Sequence, residues 1–270
     1  MNLTEYFERI GFVGAACADL DTLKRLHRGH LENIPYENLD VLLQRRLDFD
    51  MPRIFDKLVT RRRGGWCYEM NGLFAWALEE IGFRVTKMAG AVIRDRIGDA
   101  LAGNHLVLLV HLDDDYLVDV GFGDGLYEPV PLGDAKIVQT GFVSRLEFMA
   151  DGWWRFHNHQ NCGAPSFDFR AEAGDPATFA RVCDFLQTSP TSPFTQNLIF
   201  QRRFGDRVEA IRNSFRLTAR PQALERRVMT CAEELLGEMR SIFGVEDEAA
   251  ASLWPLVRAR GEVMLRENPL

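Results

Sequence analysis

Cys67 lies in the segment RRRGGWCYEMNGLF (61–74), directly behind Gly64, Gly65 and Trp66. It opens an apolar stripe that repeats at helical spacing through Met70, Leu73, Phe74, Ala77, Leu78 and Ile81. A thiol at a helix N-terminus meets unpaired backbone N–H groups and the positive end of the helix dipole. Both favour the thiolate, which is the nucleophilic form. The same N–H groups can hold an oxyanion, and the glycines let a second backbone or a substrate come close. Cys17, Cys162, Cys183 and Cys231 have no comparable setting and read as packing residues.

A base for that thiol is found on the segment NHLVLLVHLDDDYLVDVGFG (104–123). Asp113, Asp114 and Asp115 read as a three-residue turn between two apolar strands. Leu112 then faces Tyr116, and Asp119 faces Leu109. Side chains alternate along a strand, so His105 and Asp119 share a face; a two- or four-residue turn would separate them. In this register they are four residues apart, roughly 13 Å, and a hydrogen bond requires a bulge, strong twist or another turn. Cysteine, histidine and aspartate together can form an activated nucleophile with an oriented base.

The elements that must position these groups fall into three stretches. Residues 1–83 read as a helical bundle, with helices over 3–10, from Asp21 to near Pro35, from Asp50 through Val59, and from just after Gly65 to Ile81. Residues 84–187 read as antiparallel strands near 84–93, 105–112, 116–121, 137–142, 144–149 and 153–157, followed by a helix over 176–186. Residues 188–270 open with SPTSPF (189–194) and continue as strands near 196–201 and 207–218 and helices near 222–243 and 246–265. The apolar run 105–112 calls for cover on both faces. The fold class is α+β: a helical part, an antiparallel sheet or barrel, and a mixed C-terminal part that pack together.

Composition narrows the function classes. The 270 residues are 46% hydrophobic and 26% charged, as in a soluble globular protein. With 32 basic against 39 acidic residues the net charge is −7, which disfavours a nucleic-acid partner. The apolar runs are too short for a membrane helix. Five cysteines without a paired spacing argue against a disulfide framework. The opening MNLTEYFERIGF lacks a basic-then-apolar leader, and a cytoplasmic setting is expected. His157, His159 and Cys162 lack a fourth ligand at metal-site spacing, so no metal is expected. Arg61, Arg62 and Arg63 read as a solvated helix end. The glycines of GFGDGLYEPVP (121–131) follow a hairpin strand with no helix behind them. That excludes a dinucleotide fingerprint but leaves backbone N–H groups for a pyrophosphate.

RGGWCYEMNGLF, IPYENLD (34–40), the His105 strand, YLVDVGFG (116–123) and the opening YFERIGF together resemble the arylamine N-acetyltransferases, and SPTSPF fits the same pattern. The resemblance covers the first 200 residues well and the remainder weakly. It implies a three-domain architecture of helical bundle, antiparallel β-barrel and C-terminal α/β lid, a Cys67–His105–Asp119 triad, and transfer of an acetyl group from acetyl-CoA to an arylamine, arylhydroxylamine or arylhydrazine, an activity tied to xenobiotic metabolism. It places the acceptor against Tyr36, Phe122 and Phe194, and CoA near Asn104, Gly121, Phe122, Gly123 and Gly125. Met70 and Tyr36 depart from the usual family residues and bear on acceptor preference. A related amide-forming acyltransferase of natural-product biosynthesis, a Cys–His–Asp hydrolase and an idle binding module remain alternatives, and a homodimer stays open.

Overall fold

The computed structural model describes residues 1–267. Helix ends follow local chemistry. Leu3–Ile10 starts behind Asn2, whose side chain accepts from the Thr4 N–H, and stops at Gly11 in the left-handed conformation. The helix Leu20–Asn33 is capped by Asp19, which accepts from the Thr22 N–H. Asp21, the expected cap, lies inside the first turn, where its charge suits the dipole. Asp50 caps Met51–Phe55, and the chain continues as a π-helical stretch, Asp56–Thr60. Cys67–Ile81 ends at Gly82, again left-handed.

Thirteen strands follow among the described residues. In chain order they are β1 (Tyr36–Glu37), β2 (Arg84–Val92), β3 (His105–His111), β4 (Asp115–Val118), β5 (Val130–Pro131), β6 (Ala135–Gln139) and β7 (Phe142–Phe148). Then come β8 (Trp154–His157), β9 (Ser166–Phe169), β10 (Ile199–Arg203), β11 (Val208–Arg212), β12 (Phe215–Arg220) and β13 (Ala223–Val228). Eight form one antiparallel, barrel-like sheet in the order β5-β4-β3-β2-β9-β8-β7-β6, whose end strands are consecutive in the chain. The other five form the sheet β1-β10-β11-β12-β13. The first helical stretch therefore lends a strand to the C-terminal sheet, through Tyr36 opposite Gln201.

β3 is buried on both faces, as its composition requires. Leu108 and Val110 pack into the core shared with the helices. Val107 and Leu109 fill the barrel interior with Leu117, Phe156 and Phe167. The hairpin after it differs from the expected register. The turn is Leu112–Asp114 rather than 113–115, because His111 and Asp115 pair across the strands with Nδ1 and Oδ1 2.5 Å apart. With Leu108 facing Val118, the next position, Asp119, lies opposite Val107. It is two residues from His105 instead of four.

Two further expectations change. The run 207–218 is a hairpin, β11–β12, turned at Asn213 with φ 53°. Asparagine tolerates this conformation, so no glycine marked the turn. Residues 223–228 form edge strand β13, not the start of a helix; the helix begins at Ala232. The sequence ALERRV has good helix formers, but pairing with β12 overrides propensity, and its charged side chains suit an exposed edge. Among the described residues no helix is long and apolar enough to cross a membrane.

Candidate active site

The glycines before Cys67 are required by contact. A Cβ on Gly64 would lie 2.2 Å from the Pro35 carbonyl oxygen, and one on Gly65 would lie 2.8 Å from a Glu69 carboxylate oxygen. With no side chains in the way, β1 runs directly alongside: the Gly65 N–H donates to Pro35 O at 3.2 Å and the Glu37 N–H to Gly65 O at 2.9 Å. Glu69 accepts from the Trp66 N–H at 3.2 Å and holds Lys57 at 2.9 Å through both oxygens. The first turn of the helix is thereby pinned from two sides, and Cys67 is its first residue.

Arg63 belongs to this support. It is buried and bonded to Glu37, Asp40 and Asp247, while Arg61 and Arg62 stay exposed. The expected solvated triplet is thus two exposed arginines and one buried anchor. Met70 faces the helical core with Leu73 and Phe74 rather than the cavity, so its effect is on packing.

Cys67 is 3% exposed, with Sγ 3.8 Å from the Asn104 carbonyl oxygen, the residue just before His105. His105 Nε2 is 2.7 Å from Asp119 Oδ2, which leaves Nδ1 free, and Cys67 lies near enough to influence the ring's charge. Burial opposes charge on this ring, but Asp119 and Cys67 together outweigh it and raise its pKa from 6.5 to about 10. The ring packs against Phe122 and Phe167, at centroid distances of 5.4 and 5.1 Å. The three side chains singled out from the sequence therefore come together.

Two supporting residues were not singled out. Asn71 donates to Asp119 Oδ1 at 2.8 Å and accepts from the Val120 N–H at 3.0 Å. It is four residues after Cys67, so it shares that helix face, and this spacing was the available signal. His27 lies 3.4 Å through Nε2 from the Asp119 N–H and 3.0 Å through Nδ1 from Tyr127 O. Burial, only partly offset by these contacts, lowers its pKa to about 4, so it stays neutral. It read as one member of an apolar helix stripe, and nothing in the sequence connected it to Asp119.

A cavity of about 680 Å³ opens onto Cys67 and His105. Tyr36, Asn104, Gly121, Phe122 and Phe194 line it. Gly123 and Gly125 do not: a Cβ on the first would meet Gln201, and one on the second Phe122 and Phe156. The Asn104 side chain is engaged with Val92, accepting from its N–H at 2.8 Å. Asp124 is buried at the cavity wall, accepting from Asn158 at 3.0 Å and Gln201 at 2.8 Å, and burial raises its pKa to about 6. Farther out the lining includes Arg96, Arg212 and Arg226, whose guanidinium groups make no hydrogen bond or ion pair among the described residues. They are scattered along the chain, and only the fold brings them to one opening.

Residues 19–251 match the family model described as N-acetyltransferase. The chain is 31% identical over 257 residues to the arylamine N-acetyltransferase of Escherichia coli K12, covering 90% of this chain and 88% of that protein. It is 45% identical over 147 residues to the Mycolicibacterium smegmatis arylamine N-acetyltransferase, covering 52% of this chain and 54% of that one. The solved structure of Mycobacterium marinum arylamine N-acetyltransferase in complex with CoA superposes with a TM-score of 0.83 at 30% identity, covering 96% of this chain and 98% of that one. Sequence, fold and site geometry agree: the chain belongs to the arylamine N-acetyltransferase family of acyltransferases.

Proposed function

We propose that this chain transfers an acetyl group from acetyl-CoA, through a thioester on Cys67, to the nitrogen of an arylamine or arylhydrazine, or to an arylhydroxylamine. The observation that carries the reading is that Cys67 and the His105–Asp119 pair meet at one cavity of about 680 Å³. Residues 1–83 supply the nucleophile, 84–187 the base and its orienting acid, and 188–270 the cover.

Each residue has a definite task in this scheme. His105 holds a proton and Cys67 is the thiolate, an ion pair stabilised by Asp119. The thiolate attacks the thioester carbonyl, and the π electron pair moves to the oxygen. Collapse breaks the carbon–sulfur bond to CoA, whose sulfur takes the proton from His105. Acylation removes the negative charge of Cys67, one of the influences holding the imidazole protonated, so the ring becomes a better base. The amine then attacks the acyl carbon while His105 accepts its proton, and collapse returns Cys67 as thiolate. Such a double displacement gives ping-pong kinetics.

The cavity fits both substrates. Tyr36, Phe122 and Phe194 offer apolar walls to an aromatic acceptor. CoA is a polyanion, and Arg96, Arg212 and Arg226 line the same cavity with uncommitted guanidinium groups. These residues, rather than Gly123 and Gly125, are proposed to meet its phosphates. The test is a screen of amine, hydroxylamine and hydrazine acceptors with CoA release as readout, alongside a control without acceptor. Acceptor-dependent CoA release supports the transferase. Steady CoA release without any acceptor identifies a hydrolase, and turnover only with longer acyl donors identifies an amide-forming relative.

A further inference from the structure

We infer that the Tyr36 hydroxyl donates a hydrogen bond to the carbonyl oxygen of the acyl group as it is attacked by, and later released from, Cys67. Tyr36 is then a catalytic residue in both half-reactions, not only part of the cavity wall. The inference rests on the acyl-cysteine reading above.

Position comes first. The two backbone hydrogen bonds that bracket Tyr36, Gly65 N–H to Pro35 O and Glu37 N–H to Gly65 O, fix β1 beside a residue two places before Cys67. Pairing with Gln201 secures its other edge. Alternation along the strand sends neighbouring side chains opposite ways. Glu37 turns to Arg63 at 2.8 Å, into the buried ionic cluster, and Tyr36 turns into the cavity that Cys67 lines. There its ring packs in one cluster with Cys67, Trp66 and Leu106.

The hydroxyl is free for a ligand. Tyr36 is only 7% exposed, yet its oxygen has no hydrogen-bond partner among the described residues. Tyr6, Tyr68 and Tyr127, by contrast, spend theirs on His30, the Gly103 carbonyl and Glu32. The oxygen is not sealed from solvent, and an acceptor atom of a ligand in the cavity can accept from it without displacing a protein partner. Burial raises its pKa well above 10, and negative charge on Cys67, Asp124 and Asp119 raises it further. The group therefore keeps its proton and only donates. In the addition step the oxygen gains the electron pair of the C=O bond, Tyr36 hydrogen-bonds that oxygen, and no proton moves between them. Backbone N–H groups at the helix start supply the other donors.

Tyr36→Phe removes one oxygen atom and no protein hydrogen bond, so the variant should melt as wild type does. The experiment times acetyl-Cys67 formation by quenched-flow mass spectrometry with acetyl-CoA and no acceptor, then determines KM for an arylamine. Acylation slowed by ~10²-fold at an unchanged melting temperature is the expected result, the scale of losing one oxyanion donor. Acylation at the wild-type rate with only the acceptor KM raised would show that the hydroxyl serves the acceptor, and would overturn the inference. Wild-type protein that never acquires an acetyl group on Cys67 would instead overturn the reading beneath it.

Discussion

Asp119→Asn removes one charge from the triad and keeps its shape. Asn71 and the Gly121 N–H both donate to Oδ1, each at 2.8 Å. The new amide keeps those bonds by placing its carbonyl oxygen there, which aims its NH2 group at His105 Nε2. That nitrogen must then accept, so the ring proton moves to Nδ1 and faces Cys67, where a base is needed. The size of the effect follows from the ring's preference for charge. A pKa raised from 6.5 to about 10 corresponds to ~5 kcal/mol in favour of the imidazolium. Without Asp119, burial pulls the other way.

Acylation of Cys67 at pH 7 should therefore slow by ~10³-fold or more; the equivalent change in a serine-protease triad lowers kcat by about 10⁴. Quenched-flow mass spectrometry across pH 6–10 measures it. Stability gives a second readout. His105 has a raised folded-state pKa, so its contribution is complete below 6.5 and is lost as pH rises through about 10. Wild-type unfolding free energy should fall across that window, and the variant should lack this component. A variant that acylates within ~10-fold of wild type at pH 7 would refute the assignment of Asp119.

Other perturbations test the supports. Lys57→Met leaves the buried Glu69 carboxylate without a cation and takes one of three from Asp40, and chemical denaturation should show a loss of ~3–5 kcal/mol together with slower acylation, because Glu69 holds the Trp66 N–H. Gly64→Ala drives a methyl group into the Pro35 carbonyl; a stability loss of at least ~2 kcal/mol is expected by calorimetry, with acylation impaired through displacement of β1. Arg212→Ala and Arg226→Ala should each raise KM for acetyl-CoA by ~2–5-fold at low salt, the worth of an exposed charge contact, and less at high salt. His27 has a depressed folded-state pKa, so its contribution is present above 6.5 and lost as pH falls through about 4; melting temperature measured over that range should drop, and His27→Gln should weaken the dependence.

How much of this was legible from the chain depends on the range of the interaction. Local signals read well: the Gly82 stop, the Asp50 cap and the shared face of His105 and Asp119 follow from a few neighbouring residues. The contact between that pair did not, because a one-place slide of the turn, set by His111 and Asp115, changes the register by two. Arg63 looked like surface charge because its partners, Glu37, Asp40 and Asp247, are remote in sequence. β13 looked helical because its pairing with β12 is a tertiary choice that outweighs propensity. The same holds for Arg96, Arg212 and Arg226, which only the packing of the C-terminal sheet against the barrel brings to one cavity.

The most direct test of the account is peptide mapping after brief incubation with acetyl-CoA in the absence of an amine. One acetyl group on the peptide containing Cys67, discharged on adding an arylamine and absent from Cys67→Ser, is the predicted result. An unmodified Cys67 peptide in a protein that still transfers acetyl groups to amines would contradict it.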